Sequence, residues 1–170
     1  FHAHPPADAW DRDPAFRALI RRIVSACNTL AYAHEQGVIH RDLKPANLMV
    51  GPFEETLVLD WGLARELAGD AAPAASLDEA FSSHQTGGGV GTPAYFSPEQ
   101  AAAAPEWTTA IDVYGLGATL YAVLTGRPPY QGSSPWETAR LVRQGPPPPA
   151  RTVSPRCPAA LSAICARAMA

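Results

Sequence analysis

His40-Arg41-Asp42-Leu43-Lys44-Pro45-Ala46-Asn47-Leu48-Met49-Val50 is the stretch on which the reading of this chain turns. It sets a carboxylate (Asp42), an amine (Lys44) and a carboxamide (Asn47) on one short loop between apolar residues. Groups of these kinds suit proton transfer, charge neutralisation and metal binding. Pro45 fixes its own φ and biases Lys44 away from helix. Asp42 and Lys44, two apart on extended backbone, are therefore expected on the same side.

The residues that follow give the loop a partner. Leu48-Met49-Val50 and Thr56-Leu57-Val58-Leu59, separated by Gly51-Pro52-Phe53-Glu54-Glu55, predict two strands joined by a turn. In an antiparallel hairpin Asn47, just before the first strand, and Asp60, just after the second, meet at its open end. A carboxylate and an amide oxygen side by side are hard-oxygen ligands of the kind Mg²⁺ accepts, usually with phosphate oxygens. Gly62 allows the sharp exit.

On these residues the segment resembles the catalytic and metal-binding loops of the eukaryotic-type serine/threonine protein kinases. His40-Arg41-Asp42 followed by Asn47 matches His-Arg-Asp-x-x-x-x-Asn, and Asp60-Trp61-Gly62 matches Asp-Phe-Gly with Trp for Phe. Lys44 in Asp-Leu-Lys-Pro resembles the serine/threonine branch. Gly91-Thr92-Pro93-Ala94-Tyr95 and Ser97-Pro98-Glu99 look like the end of an activation segment, with Ser where Ala is usual. Asp112-Val113-Tyr114-Gly115-Leu116-Gly117 is similar to the start of the family's buried central helix. Four motifs in one order are a specific signal, where one alone is weak.

Composition bounds the rest. A chain of 170 residues with 46% hydrophobic content can hold one domain with a real core. A net charge of -3 gives no reason to expect nucleic acid or an anionic membrane as partner. Cys27, Cys157 and Cys165 lack metal-ligand spacing and predict a reduced, cytoplasmic setting, with a membrane anchor elsewhere in a parent chain left open. The longest uncharged apolar run, Val113 to Gly126, is too short to cross a bilayer.

Residues 1–12 read as a loop or frayed start, and His2 and His4 as a solvated tail rather than a metal pair. Asp13-Pro14 predicts a helix start, with Phe16, Leu19, Ile20, Ile23, Val24, Cys27, Leu30 and Ala31 as its apolar stripe and Gly37 as its end. Arg12, Arg17, Arg21 and Arg22 are expected on its wet face. From Leu63 to Phe96 the small and polar composition predicts a mobile stretch. Thr109 to Thr125, apolar on nearly every side and closed by Gly126, predicts a buried helix. Ser134-Pro135 starts a further helix to about Gln144. Pro146 to Pro149 is either a ligand for a proline-binding module or, the reading preferred on sequence, a stiff connector before a last helix carrying Leu161, Ile164, Cys165 and Met169.

The resemblance implies a mainly α, α+β fold. It is a kinase-like C-terminal lobe over residues 13–170, with a small hairpin carrying the catalytic loop (40–47), a metal loop (60–62) and an activation segment (60–99). It also implies transfer of the terminal phosphoryl group of ATP to a serine or threonine hydroxyl of a protein. Asp42 takes or orients the hydroxyl proton, Lys44 offsets charge on the transferring group and contacts nucleotide, and Asn47 and Asp60 hold Mg²⁺. Met49 forms an apolar floor under adenine, Thr92 links to Asp42 and Lys44, and Glu99 pairs with a downstream arginine. Asp112 takes backbone amides of the catalytic loop, and His40 is a packed structural residue. Arg41, with Arg65, receives a phosphate carried by Ser82, Ser83 or Thr86. No Gly-x-Gly-x-x-Gly loop or Val-Ala-x-Lys strand precedes residue 13. The expectation is therefore a lobe cut from a longer domain at both ends, inactive without its N-terminal lobe. An inactive kinase-fold scaffold and a small-molecule phosphotransferase are the alternatives; the intact catalytic residues weigh against the first, and Gly91-Thr92-Pro93 and Ser97-Pro98-Glu99 against the second.

Overall fold

In the computed structural model, residues 13–53, 55–67 and 93–170 are described. Asp13 Oδ1 accepts from the Ala15 amide at 2.9 Å, and Pro14 needs no amide partner, so helix α1 (Pro14–Glu35) begins there. Gln36 closes the helix, and Gly37 turns the chain away at φ 74°, where a side chain would be strained. Phe16, Ile23, Ala26 and Leu30 are buried as the stripe requires. Val24, Cys27 and Ala31, expected in the same stripe, are exposed. The stripe is wider than the surfaces α1 packs against, and Cys27 and Ala31 instead border an apolar cavity shared with Val113 and Leu116. Arg17 and Arg21 are on the wet face, Arg22 is half-buried, and Arg12 lies outside the described residues.

Two small antiparallel sheets follow. Strand β1 (Val38–Ile39) leads into the loop, and β2 (Leu48–Val50) pairs with β3 (Thr56–Val58) in the register Leu48↔Val58, Met49↔Leu57, Val50↔Thr56. The Gly51 amide donates to the Glu55 carbonyl at 2.9 Å and closes the hairpin. Strand β4 (Arg65–Glu66) pairs with β1, Ile39 opposite Arg65. The sequence reading placed these two residues in a mobile stretch, because a two-residue strand has no period to detect.

The helices carry the core. Ser97 caps α2 (Pro98–Ala101) in a reciprocal box with Gln100. Helix α3 (Ala110–Thr125) has ten of its sixteen residues buried and ends on Gly126 at φ 74°. Ser134 caps α4 (Pro135–Gln144), and α5 (Ala150–Val153) and α6 (Ala159–Ala168) complete the described helices. Two glycines let α3 sit at the centre. A Cβ on Gly115 would lie 2.8 Å from Leu43 Cβ, and one on Gly117 2.7 Å from Ala168 Cβ. Gly115 thus brings the catalytic loop, and Gly117 brings α6, to van der Waals distance of one helix. One apolar cluster gathers around α3 with Phe96, Tyr130, Val142, Cys157 and Met169, and a second joins Ala26, Leu30, Leu43 and Val58 under the hairpin. Among the described residues no helix is long and apolar enough to cross a membrane.

Candidate active site

The loop hangs from α3. Asp112, 1% exposed, accepts from the His40 amide (Oδ2) and the Arg41 amide (Oδ1), each at 2.8 Å. Its Oδ2 also takes His34 Nε2 of α1 at 2.8 Å. Three donors compensate a carboxylate that burial would otherwise penalise. They also hold Arg41 at φ 75°, a left-handed conformation unusual for a non-glycine residue, and so turn the chain into the loop.

His40 is fully buried and works through geometry. Its Nδ1 accepts from the Asp42 amide at 3.2 Å, which assigns the proton to Nε2, donating to the Leu59 carbonyl at 2.9 Å. Its ring meets Trp61 edge-on with centroids 4.6 Å apart. The Trp61 indole donates to the Val58 carbonyl at 2.9 Å, so this aromatic is fixed to the end of β3. The loop of residues 40–47 and the segment 60–62 are thereby tied through His40, Leu59 and Trp61.

Asp42, Lys44 and Asn47 converge. Lys44 Nζ lies 2.8 Å from Asp42 Oδ2, and Asn47 Nδ2 donates to the Asp42 carbonyl at 2.7 Å and to Oδ2 at 3.1 Å. Among the described residues the side-chain donors to the Asp42 carboxylate reach Oδ2. With Nδ2 committed, the orientation of the Asn47 amide is fixed and its Oδ1 stays an open acceptor. The Leu59 amide donates to the Asn47 carbonyl at 2.8 Å, which sets Asp60 one residue beyond the end of the ladder, exposed and left-handed at φ 64°. Asn47 and Asp60 can offer two protein oxygens to a cation. Two oxygens are too few for an all-protein cage but suit Mg²⁺, which keeps waters and takes ligand phosphates. Met49, 46% exposed, lies on the hairpin beside Leu57, also exposed.

Arg41 is the second focus of charge. Its guanidinium carbon lies 4.0 Å from the Trp107 ring centroid, and Nε is buried without an acceptor among the described residues. Burial, then repulsion from Arg65, push its pKa down, and Asp112 partly offsets them. Glu99 is exposed at the start of α2. Thr92, Ser82, Ser83 and Thr86 lie outside the described residues. Three contributors were missed in the sequence. His34 sits in the last turn of α1 with no motif around it, and Trp107 has no periodic neighbour. Gln100, whose Nε2 donates to the Arg41 carbonyl at 2.7 Å, did leave a signal: Ser97-x-x-Gln100 is a capping box.

A loop hung on a buried aspartate, with acid, lysine and asparagine on one carboxylate, defines a class. The protein kinase domain family matches residues 13–166, and the chain belongs to it. Among curated proteins, serine/threonine-protein kinase PknB of Mycolicibacterium smegmatis is 43% identical over 136 residues, 79% of this chain and 20% of that protein. PknB of Mycobacterium tuberculosis is 43% identical over 131 residues, 76% of this chain and 19% of its own length. Serine/threonine-protein kinase PknD of Protochlamydia amoebophila is 42% identical over 122 residues, 67% and 12%. The chain thus spans a fifth or less of the relatives it matches.

Proposed function

We propose that this chain is the C-terminal lobe, residues 13–170, of a serine/threonine protein kinase. Its substrates are ATP and a protein hydroxyl, and it acts in the cytoplasm as part of a longer polypeptide with an N-terminal lobe. The substrate hydroxyl oxygen attacks the γ-phosphorus, the bond to the β-phosphate oxygen breaks, and ADP leaves. Asp42 Oδ1 takes up the hydroxyl proton, while Lys44 remains close enough to neutralise the transferring oxygens. Asn47 and Asp60 would hold Mg²⁺, which would supply charge neutralisation at the phosphates. Met49 supports the adenine. Thr92 orients Asp42 and Lys44, and residues 60–99 form an activation segment whose Ser82, Ser83 or Thr86, once phosphorylated, pairs with Arg41 and Arg65.

One observation carries this reading: Lys44 and Asn47 converge on one oxygen, Oδ2, of the Asp42 carboxylate. Transfer of radiolabelled phosphate by the full-length protein tests it. Asp42→Ala should lower the rate by at least about a hundredfold with the fold intact, and an unchanged rate would overturn the assignment.

A further inference from the structure

Pro146 to Pro149 crosses from α4 to α5 outside any helix or sheet, and its last carbonyl, that of Pro149, accepts from the Thr152 amide at 2.8 Å at the start of α5. Four consecutive prolines fix φ and push each preceding residue toward extended ψ, and Pro149 itself has φ −51° and ψ 138°. Consecutive prolines with these preferences favour polyproline II, which has three residues per turn and therefore three edges. Pro147 is half-buried and Pro146, Pro148 and Pro149 are exposed, and all four border an apolar cavity shared with Tyr121, Cys165 and Met169. The strand is held at both ends. Tyr130 donates its hydroxyl to the Gly145 carbonyl at 2.9 Å, Ala150 is buried, and the Arg151 amide donates to Ser162 Oγ at 3.2 Å.

Charge brackets the strand. Exposed Arg143 lies three residues before Pro146, and exposed Arg151 two after Pro149. Arg140 is paired with Glu137, but neither Arg143 nor Arg151 enters an ion pair among the described residues. Residues 138–170 hold five arginines and no acid, in a chain whose net charge is -3. A connector needs the stiffness of proline. It does not need exposed prolines with a cation at each end.

We propose that Pro146–Pro149, with Arg143 and Arg151, is a docking site for a protein module that reads polyproline II through an aromatic groove with an acidic rim, the SH3 type of recognition. A groove touches two edges of such a strand, here those of the exposed Pro146/Pro149 and Pro148 rather than that of the half-buried Pro147. The strand is ordered before binding, so little conformational entropy is lost on docking. The acidic rim complements an arginine at either end, so the strand can be read in either chain direction.

The test is calorimetric titration of a purified SH3 domain with an acidic specificity pocket into the full-length protein. The expected result is saturable one-to-one binding that weakens with salt. Pro146→Ala/Pro149→Ala abolishes it, Arg143→Glu/Arg151→Glu weakens it at least about tenfold, and Pro147→Ala, at the half-buried position, leaves it unchanged. Thermal melts identify any variant that has lost its fold. Absence of binding at about 1 mM domain, or binding that survives the Pro146/Pro149 double variant, overturns the proposal. So does arginine-dependent adsorption to phosphatidylserine vesicles without SH3 binding, which would make the surface a membrane contact.

Discussion

Asp112 concentrates more of this structure than any other side chain. Removing its carboxylate leaves two backbone amides and His34 without acceptors in the interior and releases Arg41 from its left-handed turn. Asp112→Ala should therefore lower the unfolding free energy by about 3 kcal/mol, seen as a lower urea midpoint. Asp60 is the opposite case. It is exposed and, among the described residues, supports no neighbour by a side-chain hydrogen bond, so Asp60→Asn should leave the midpoint unchanged. It should also raise the magnesium concentration for half-maximal phosphate transfer by about tenfold or more. A shifted midpoint with unchanged magnesium dependence would mean that Asp60 is structural. The chemistry-bearing loop was legible because Asp42, Lys44 and Asn47 lie within six positions of one another and local backbone rules decide which way they point. His34 was not, since its partner is 78 residues away and only the packed fold brings them together.

At the level of elements, seating depends on absent side chains. Gly115 is where α3 packs against Leu43 of the loop, and a methyl there would lie 2.8 Å from Leu43 Cβ and 3.2 Å from the Leu43 carbonyl oxygen. Gly115→Ala should cost about 1–3 kcal/mol despite alanine's better helix propensity, with a correspondingly lower melting temperature. A stabilised variant would mean that the loop moves aside freely. Helices α1 and α3 and the β2–β3 hairpin could be anticipated within a residue or so of their ends, because each has a strong period and chemical punctuation: Asp13-Pro14, Gly37, Gly126. Strand β4 could not, as its two residues are extended only because β1 offers them a ladder. The misjudged face of α1 has the same origin. Periodicity tells which residues are apolar, whereas the width of the neighbouring surface decides how many of them are covered.

For the molecule as a whole, the interior is protected from proton loss. Burial pushes the Cys165 thiol up to about 12 and raises the Tyr114 and Tyr130 phenols. Tyr130 donates to Gly145, so Tyr114 must donate to Tyr130 across 3.1 Å. Each folded value exceeds the unfolded one, so the protonated form is bound more tightly by the native state. This stability is complete below the ordinary values of 9.0 and 10.0, and it drains away as pH climbs through the raised ones. Urea midpoints should be level up to about pH 9 and fall beyond it. Cys165→Ala should reduce the slope, and a midpoint that rises in alkali would contradict these protonation states. The suspension of the catalytic loop from α3 bears on heat inactivation. Since Asp42 owes its place to a loop held by a largely buried helix, the proposed activity and native structure should be lost at a common temperature when the full-length protein is heated.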